Sequence, residues 1–417
     1  MVRSDNIRRV FTQGHGLDLT MTKPEKDQFS IEVHQSITGI DADTWDRCAN
    51  PPWRPYNPFV AHAFLNALET SGSAVAETGW LGQHMQLKSG DGETIAVMPC
   101  YLKNHSQGEY VFDYGWAEAI QRAGGQYYPK LQISVPFTPA SGPRVLVARQ
   151  DQLRQCRAAM ADASDQLAAR LGASSAHMTF IEEGEYADFG EFGWLQRNDT
   201  QFHWHNDDFS SFDQFLAVLS SRKRKNIRKE RAAVARAGLD IHVLTGSDIT
   251  EEHWDHFFHF YIDTGDRKWG TPYLTREFFS AVGDSMADDI ALVMVRNKGR
   301  WVAGAINFIG GDALYGRNWG CIEHHDCLHF EVCYYTAIEF AIARGLKRVE
   351  AGAQGPHKLA RGYLPVTTRS VHMIQDPRLN TAVADYLERE RKAVARDNKL
   401  IEEHHSPFRK GEREEDY

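Results

Sequence analysis

Seven of the ten residues from 222 to 231 are cationic: Arg222, Lys223, Arg224, Lys225, Arg228, Lys229 and Arg231. Guanidinium and ammonium groups at that density suit phosphate oxygens, whether of RNA, a nucleotide carrier or coenzyme A. The competing account is a solvated helix face balanced by the acidic remainder of the chain. Ile227 in the middle of the run points to one packed face, with the cations as a stripe beside it. A second segment, Glu350-Ala351-Gly352-Ala353-Gln354-Gly355-Pro356-His357-Lys358-Leu359-Ala360-Arg361-Gly362-Tyr363, joins a strand end to three glycines. Glycine lets a backbone approach a ligand, and strand ends followed by such loops are where α/β sheets place their sites. Gln354, His357, Lys358, Arg361 and Gly362 are the substrate-binding candidates there; an ordinary surface loop is the plainer alternative. A third group, Cys321, His324, His325, Cys327, His329 and Cys333, has ligand types that suit zinc. It contains no Cys-x2-Cys pair, and Cys333 stands beside Tyr334 and Tyr335 on an apolar helix, so no metal is expected.

These candidates need elements to hold them. Residues 1–28 are polar without periodicity and read as a loosely docked arm. In 29–206 the pattern predicts a strand at 31–33, helices at 41–49 and 59–70, and a hairpin of 84–88 with 94–103 around Ser89-Gly90-Asp91-Gly92. Strands at 131–135 and 144–147, a helix at 152–171 and a strand at 177–181 follow, with a short strand at 202–206. In 207–376 one long helix, 211–237, carries the basic run. After it come a strand at 240–244, helices at 248–263 and 275–284, and a hairpin of 289–296 with 300–309. A strand at 313–319, a helix at 330–344 closed by Gly345, and short strands at 348–350 and 370–374 complete that half. A charged helix at 379–400 lies in the C-terminal segment, 377–417. Both halves run hairpin, strand, helix, strand, which predicts an α/β protein with mixed sheets and a duplicated plan.

The chain has 417 residues, long enough for two or three domains. Its 47 basic and 56 acidic side chains give a net charge of −9, which argues against a general nucleic-acid coat protein. Hydrophobic residues at 42% and charged residues at 25% are ordinary for a globular chain and exclude collagen-like or wholly disordered classes. No apolar run reaches the roughly 18 residues of a membrane span, and the N-terminus lacks a secretory h-region. Six cysteines are too sparse for a disulfide scaffold, so a cytoplasmic location is expected. Neither a Gly-x-Ser-x-Gly elbow nor a phosphate-binding P-loop occurs, which counts against hydrolases of those types.

The segments Leu328-His329-Phe330-Glu331-Val332-Cys333-Tyr334-Tyr335 and Glu350 to Tyr363 resemble the signature of FemAB-like proteins of the GNAT superfamily. The stretches from Asn57-Pro58-Phe59 to Ser71-Gly72-Ser73, Gly108 to Trp116, and Tyr127-Tyr128-Pro129-Lys130 to Gly142-Pro143-Arg144 are similar as well. The resemblance covers 29–409 and implies two GNAT-like, acyl-CoA N-acyltransferase-like domains in tandem. It implies an N-acyltransferase that moves an aminoacyl or acyl group from an anionic donor, aminoacyl-tRNA or acyl-CoA, to an amine acceptor. That acceptor would be a peptidoglycan precursor, a peptide or a small amine, and no tightly bound cofactor is implied. The alternative is a non-catalytic GNAT-like protein that binds a cell-wall precursor or peptide. Arg224-x-Asn226-Ile227-Arg228 is similar to an Arg-rich helix of FemABX relatives, which makes Arg224 and Arg228 candidates for an anionic substrate. Acyl transfer needs a base to keep the amine neutral and a donor for the developing oxyanion. His329, Glu331 and Glu350 are candidates for the first role and Tyr335 for the second, while Lys358 and Arg361 would hold a phosphate or carboxylate. Two features depart from the relatives. No heptad segment for a long helical arm occurs, which weakens a tRNA donor. The nearest approach to a Gln/Arg-x-x-Gly-x-Gly/Ala pyrophosphate loop, Gln121-Arg122-Ala123-Gly124-Gly125-Gln126, lacks the final small residue.

Overall fold

The computed structural model describes residues 17–20, 29–267, 272–352 and 357–409. Numbered along the chain, its strands are β1 (Leu17–Thr20), β2 (Ser30–His34), β3 (Trp80–Gly82), β4 (His84–Lys88), β5 (Thr94–Met98), β6 (Tyr101–Lys103), β7 (Lys130–Ile133) and β8 (Leu146–Val147). They continue with β9 (Ser175–Thr179), β10 (Leu195–His205), β11 (Asp240–Thr245), β12 (Ile290–Asn297), β13 (Arg300–Ile309), β14 (Ala313–Cys321), β15 (Arg348–Glu350) and β16 (Leu364–Ile374). One sheet has the order β1-β2-β4-β5-β8. The other, of eleven strands, has the order β11-β12-β13-β14-β15-β10-β16-β9-β7-β6-β3.

Two pairs in the large sheet are parallel, β7 with β9 and β14 with β15. A parallel pair needs a crossover, and each has a helix in it: Leu153–Leu171 in the first case, Thr336–Ala343 in the second. These two βαβ units are the duplicated plan, and the fold is mixed α/β. The last strand of each half crosses over. β10 pairs with β15 of the second half, and β16 pairs with β9 of the first. β10 and β16 also pair with each other, from Leu195 with His372 to His203 with Leu364. The sheet therefore runs unbroken past residue 206. The halves share a core too. Phe64 meets Phe278 and Phe308 edge-on, at ring-centre distances of 5.7 and 5.4 Å.

Tertiary contacts override the sequence pattern in several places. The predicted helix at 211–237 is two helices, Phe212–Val218 and Ser221–Arg236. Leu219 is extended, with ψ 151°, because the C-terminal segment docks there. Ser220 N–H donates to the Pro407 carbonyl at 2.9 Å, and Arg409 N–H to Val218 at 3.1 Å. No local breaker marks that break. The expected strand 94–103 divides into β5 and β6, which join different sheets. Helices Tyr114–Arg122 and Glu183–Glu191, and most of β10, lie where no element was expected. The helix expected at 330–344 begins instead at Leu328 and opens into a π turn over Glu331–Tyr335 before Thr336–Ala343. That wide turn lets the adjacent Tyr334 and Tyr335 both be buried, at 3% and 0% exposure. The C-terminal helix, Pro377–His405, ties to β10 through Arg197 and Glu390, with contacts of 2.8 and 2.9 Å. Among the described residues no helix is long and apolar enough to cross a membrane.

Candidate functional site

β14 and β15 run together only from Ala313–Tyr315 against Arg348–Glu350. β14 then continues along β13, while the chain after Glu350 passes through Gly352 with φ 75°. The helix that follows β14 walls the opening on its third side. The resulting cleft, about 410 Å³ with its mouth, is lined by Asn307, Arg317, Asn318, Trp319, His329 and Tyr334. His329 is therefore the catalytic candidate from the sequence that the structure places in the cleft lining. Its ring lies 5.4 Å from Tyr334, 5.5 Å from Trp319 and 6.2 Å from His357. His357 Nε2 is 2.9 Å from the Tyr334 hydroxyl, and burial lowers its pKa.

The described part of the glycine-rich loop is held by its own side chains. Gln354 lies outside the described residues. Lys358 was expected to hold an anion. Instead it is buried, and its Nζ donates to the carbonyls of Ala351 at 2.5 Å and Gly352 at 2.8 Å. Arg361 is likewise turned inward. Its Nε donates to the Tyr335 hydroxyl at 3.0 Å, Nη1 to the His357 carbonyl at 2.7 Å and Nη2 to Glu230 at 2.8 Å. The guanidinium lies 3.4 Å over the Phe330 ring. The Tyr335 hydroxyl donates to Glu230, so its proton is engaged within the protein and not directed at an oxyanion. Gly362 has φ 91°, and a Cβ there would sit 2.6 Å from the Phe215 ring. It is required by packing. Glu331 faces Arg231 at 3.0 Å and so is an ion-pair partner of the basic helix, not an open base. Glu350 is buried, with one oxygen 3.0 Å from Arg348 Nε and the other 3.8 Å from His203 Nε2.

Burial pulls the Lys358 ammonium down to about 8. Above pH 8 the folded chain releases this proton while the unfolded chain keeps it up to about 10.4. The unfolded state then binds more protons, so stability rises with pH across that window. Below pH 8 the charged buried form costs about 3 kcal/mol by the same linkage. Lys358→Met should flatten the rise in Tm between pH 8 and 10, leaving the part due to Lys103, which burial pulls to about 7. An unchanged slope in thermal melts would count against this environment for Lys358.

The basic helix explains which cations are structural. Ile227 and Val234 are buried at 1% and 4%, and Glu230 and Arg231 lie on the same face. Arg231 bridges Glu331 and Glu339, the latter at 2.7 Å. Glu230 was not singled out from the sequence, although it is the lone acid in the run, which was the available signal. The other six cations lie off this face. Arg224 reaches the Ala217 carbonyl at 3.3 Å and Arg228 comes within 3.6 Å of Asp213. Arg222, Lys223, Lys225 and Lys229 have no ion-pair partner among the described residues. Because the helix begins at Ser221, Arg222, Lys223 and Arg224 sit in its first turn, where they oppose the dipole. The near-match Gln121 to Gln126 lies at the C-terminal end of the helix Tyr114–Arg122. That end presents carbonyls, the wrong polarity for pyrophosphate.

A family model described as FemAB-like, peptidoglycan biosynthesis/recognition, matches residues 36–410. The chain belongs to the FemAB-like family. The crystal structure of FemX is similar at a TM-score of 0.52 and 13% identity, covering 84% of this chain and 99% of that one. The C-terminal DUF2156 domain assigned to a lysylphosphatidylglycerol synthetase from Agrobacterium fabrum is similar at a TM-score of 0.51 and 10% identity, covering 87% and 97%. At these identities the likeness concerns the fold. No curated protein matches the sequence significantly. In this FemAB-like chain, then, the helical turn Glu331–Tyr335 lines the cleft through Tyr334 and meets Arg231 and Glu230 of the basic helix through Glu331 and Tyr335.

Proposed function

We propose that the chain is an N-acyltransferase of the FemAB-like GNAT type, moving an acyl or aminoacyl group from an anionic donor to an amine. The observation that carries this reading is the cleft between β14 and the chain after β15, with His329 and Tyr334 on its wall and His357 hydrogen-bonded to the Tyr334 hydroxyl. Beyond Tyr315 one edge of β14 has no strand partner among the described residues until Cys321, whose N–H donates to Thr264, and backbone groups on that edge can meet an acyl carbonyl or the oxyanion formed from it. The attacking amine must be neutral. His329 can take its proton directly. His357, whose pKa burial lowers, can take it through Tyr334, whose hydroxyl passes its own proton on as it receives one. Glu331, Tyr335, Lys358 and Arg361 act in this scheme as positioning residues.

Both donor classes, aminoacyl-tRNA and acyl-CoA, carry phosphates, and the six outward cations of the basic helix suit either. The test is a mass-spectrometric screen that offers charged tRNA pools and acyl-CoAs with amine acceptors, including peptidoglycan precursors. Acylated product from one donor class is expected. Arg224→Glu with Arg228→Glu should lower its rate at least tenfold at low salt and flatten the salt dependence. Absence of product from both classes would overturn the reading. The inward engagement of Tyr335, Lys358 and Arg361 favours one alternative, binding of a cell-wall precursor or peptide without chemistry. Retention of such a ligand with no product would support it.

A further inference from the structure

Arg317 stands at a break in the β13–β14 ladder. Ile306 faces Asn318 and Asn307 faces Gly316, so Arg317 is the extra residue of a β-bulge. A bulge re-aims a side chain away from the regular alternation. Here the side chain lines the cleft and also borders a narrower apolar pocket walled by Phe137, Leu274, Phe278 and Ile306. Its Nη2 donates to the carbonyl of Phe137. That carbonyl is fixed, because Phe137 has φ 57° and its ring is stacked on Tyr273 at 4.9 Å. A guanidinium has five N–H donors, so most of this one remains for a ligand.

Three other arginines of the second half that reach into its packed interior have acids. Arg231, Arg348 and Arg361 each lie within 2.8 Å of a carboxylate oxygen. Arg317 has no ion-pair partner among the described residues; its contacts there are the Phe137 carbonyl and the face of Phe59. Glu350, the carboxylate that acts on it from a distance, is held by Arg348. Burial lowers the pKa of Arg317, yet an arginine stays charged. A half-buried cation without an acid is unfavourable until an anion completes it.

We propose that Arg317, with Asn318 beside it in the cleft, binds the carboxylate of a small amine acceptor, such as an amino acid or the end of a short peptide. The word acceptor rests on the acyl-transfer reading; the carboxylate site does not. One planar fork matches the two oxygens of one carboxylate. A phosphate monoester would leave a second charge unmatched here, and the clustered cations that suit phosphate are on the basic helix.

The test uses the full chain and measures binding of alanyl-leucine and of its C-terminal amide by ligand-observed NMR, with inorganic phosphate as competitor. The free acid should bind at least tenfold more tightly than the amide. Arg317→Gln should bind the acid no better than the amide, and Arg317→Lys should fall between, with circular dichroism confirming the fold of both. Equal binding of acid and amide by the wild type needs no variant and would overturn the proposal. So would failure of the wild type to bind the acid, retained binding in folded Arg317→Gln, or displacement by an equal concentration of phosphate. Acid-selective binding together with no product in the donor screen would leave the carboxylate site standing and remove the acyl-transfer reading.

Discussion

Arg361→Ala is expected to lower the unfolding free energy by about 3 kcal/mol, the usual cost of removing one partner of a buried ion pair. The cause is the number of groups it joins. Glu230 and Tyr335 each contact the guanidinium, and the His357 carbonyl accepts from it. Removing it leaves Glu230 with the Tyr335 proton alone and frees the loop that carries His357. The same loss should appear in activity as a fall in kcat, because the Tyr334–His357 contact at 2.9 Å depends on where that loop lies. Arg361→Lys keeps a charge but not the fork, and should recover less than half of the stability. A double-mutant cycle with Glu230→Gln separates this from ligand binding. If Arg361 acts through Glu230, the two changes should be strongly non-additive in urea melts of the unliganded chain. Additive losses, or wild-type stability with lost ligand binding, would return Arg361 to the direct binding role that the sequence suggested.

The difference between those two roles shows what the sequence carries. Residue type and spacing located the loop, because glycines and cations after a strand end are a local signal. The direction of each cation is not local. Lys358 turns to Ala351 and Gly352, and Arg361 to Glu230, which lies 131 positions away in the chain. Fold class was legible for the same reason that direction was not. Hairpin turns, periodicity and the Gly345 cap are short-range, and they suffice for two βαβ units. The exchange of β10 and β16 between halves is long-range, and so is the break at Leu219, imposed by a segment nearly 190 residues further on. Arg317 was invisible because a bulge is a mismatch between two strands. Only the pairing of Ile306 with Asn318 and Asn307 with Gly316 exposes it.

Lys130→Met should be the most destabilising single change away from the cleft, at about 3–5 kcal/mol near neutral pH. Lys130 is fully buried; its Nζ donates to Glu109 at 2.7 Å and also to Asp113. Asp113 in turn accepts from Tyr127, whose hydroxyl is 3.1 Å from His177, and His177 meets His372 at 2.7 Å. Lys130 lies on β7, His177 on β9 and His372 on β16, so the network joins the first half to the strand that the second half lends it. Burial pushes Glu109 up to about 7 against the pull of Lys130. Burial also opposes the ionisation of Asp113, yet Lys130 and His177 hold it well below the usual carboxylate range. A depressed carboxyl contributes stability above its unfolded pKa and loses it as pH falls through the folded one. Without Lys130 that contribution goes, and burial drives Asp113 to take up a proton. The variant should therefore be weakest near pH 7 and regain ground as the solution is acidified, while the wild type declines below pH 4. The gap between them should narrow in urea melts from pH 7 to pH 4, and Lys130→Met with Asp113→Asn should be more stable than Lys130→Met alone. A gap that is constant with pH would mean that Lys130 matters for its packing and not for its charge. Because β16 pairs with both β9 and β10, and β10 with β15, a loss here reaches the cleft through the sheet itself.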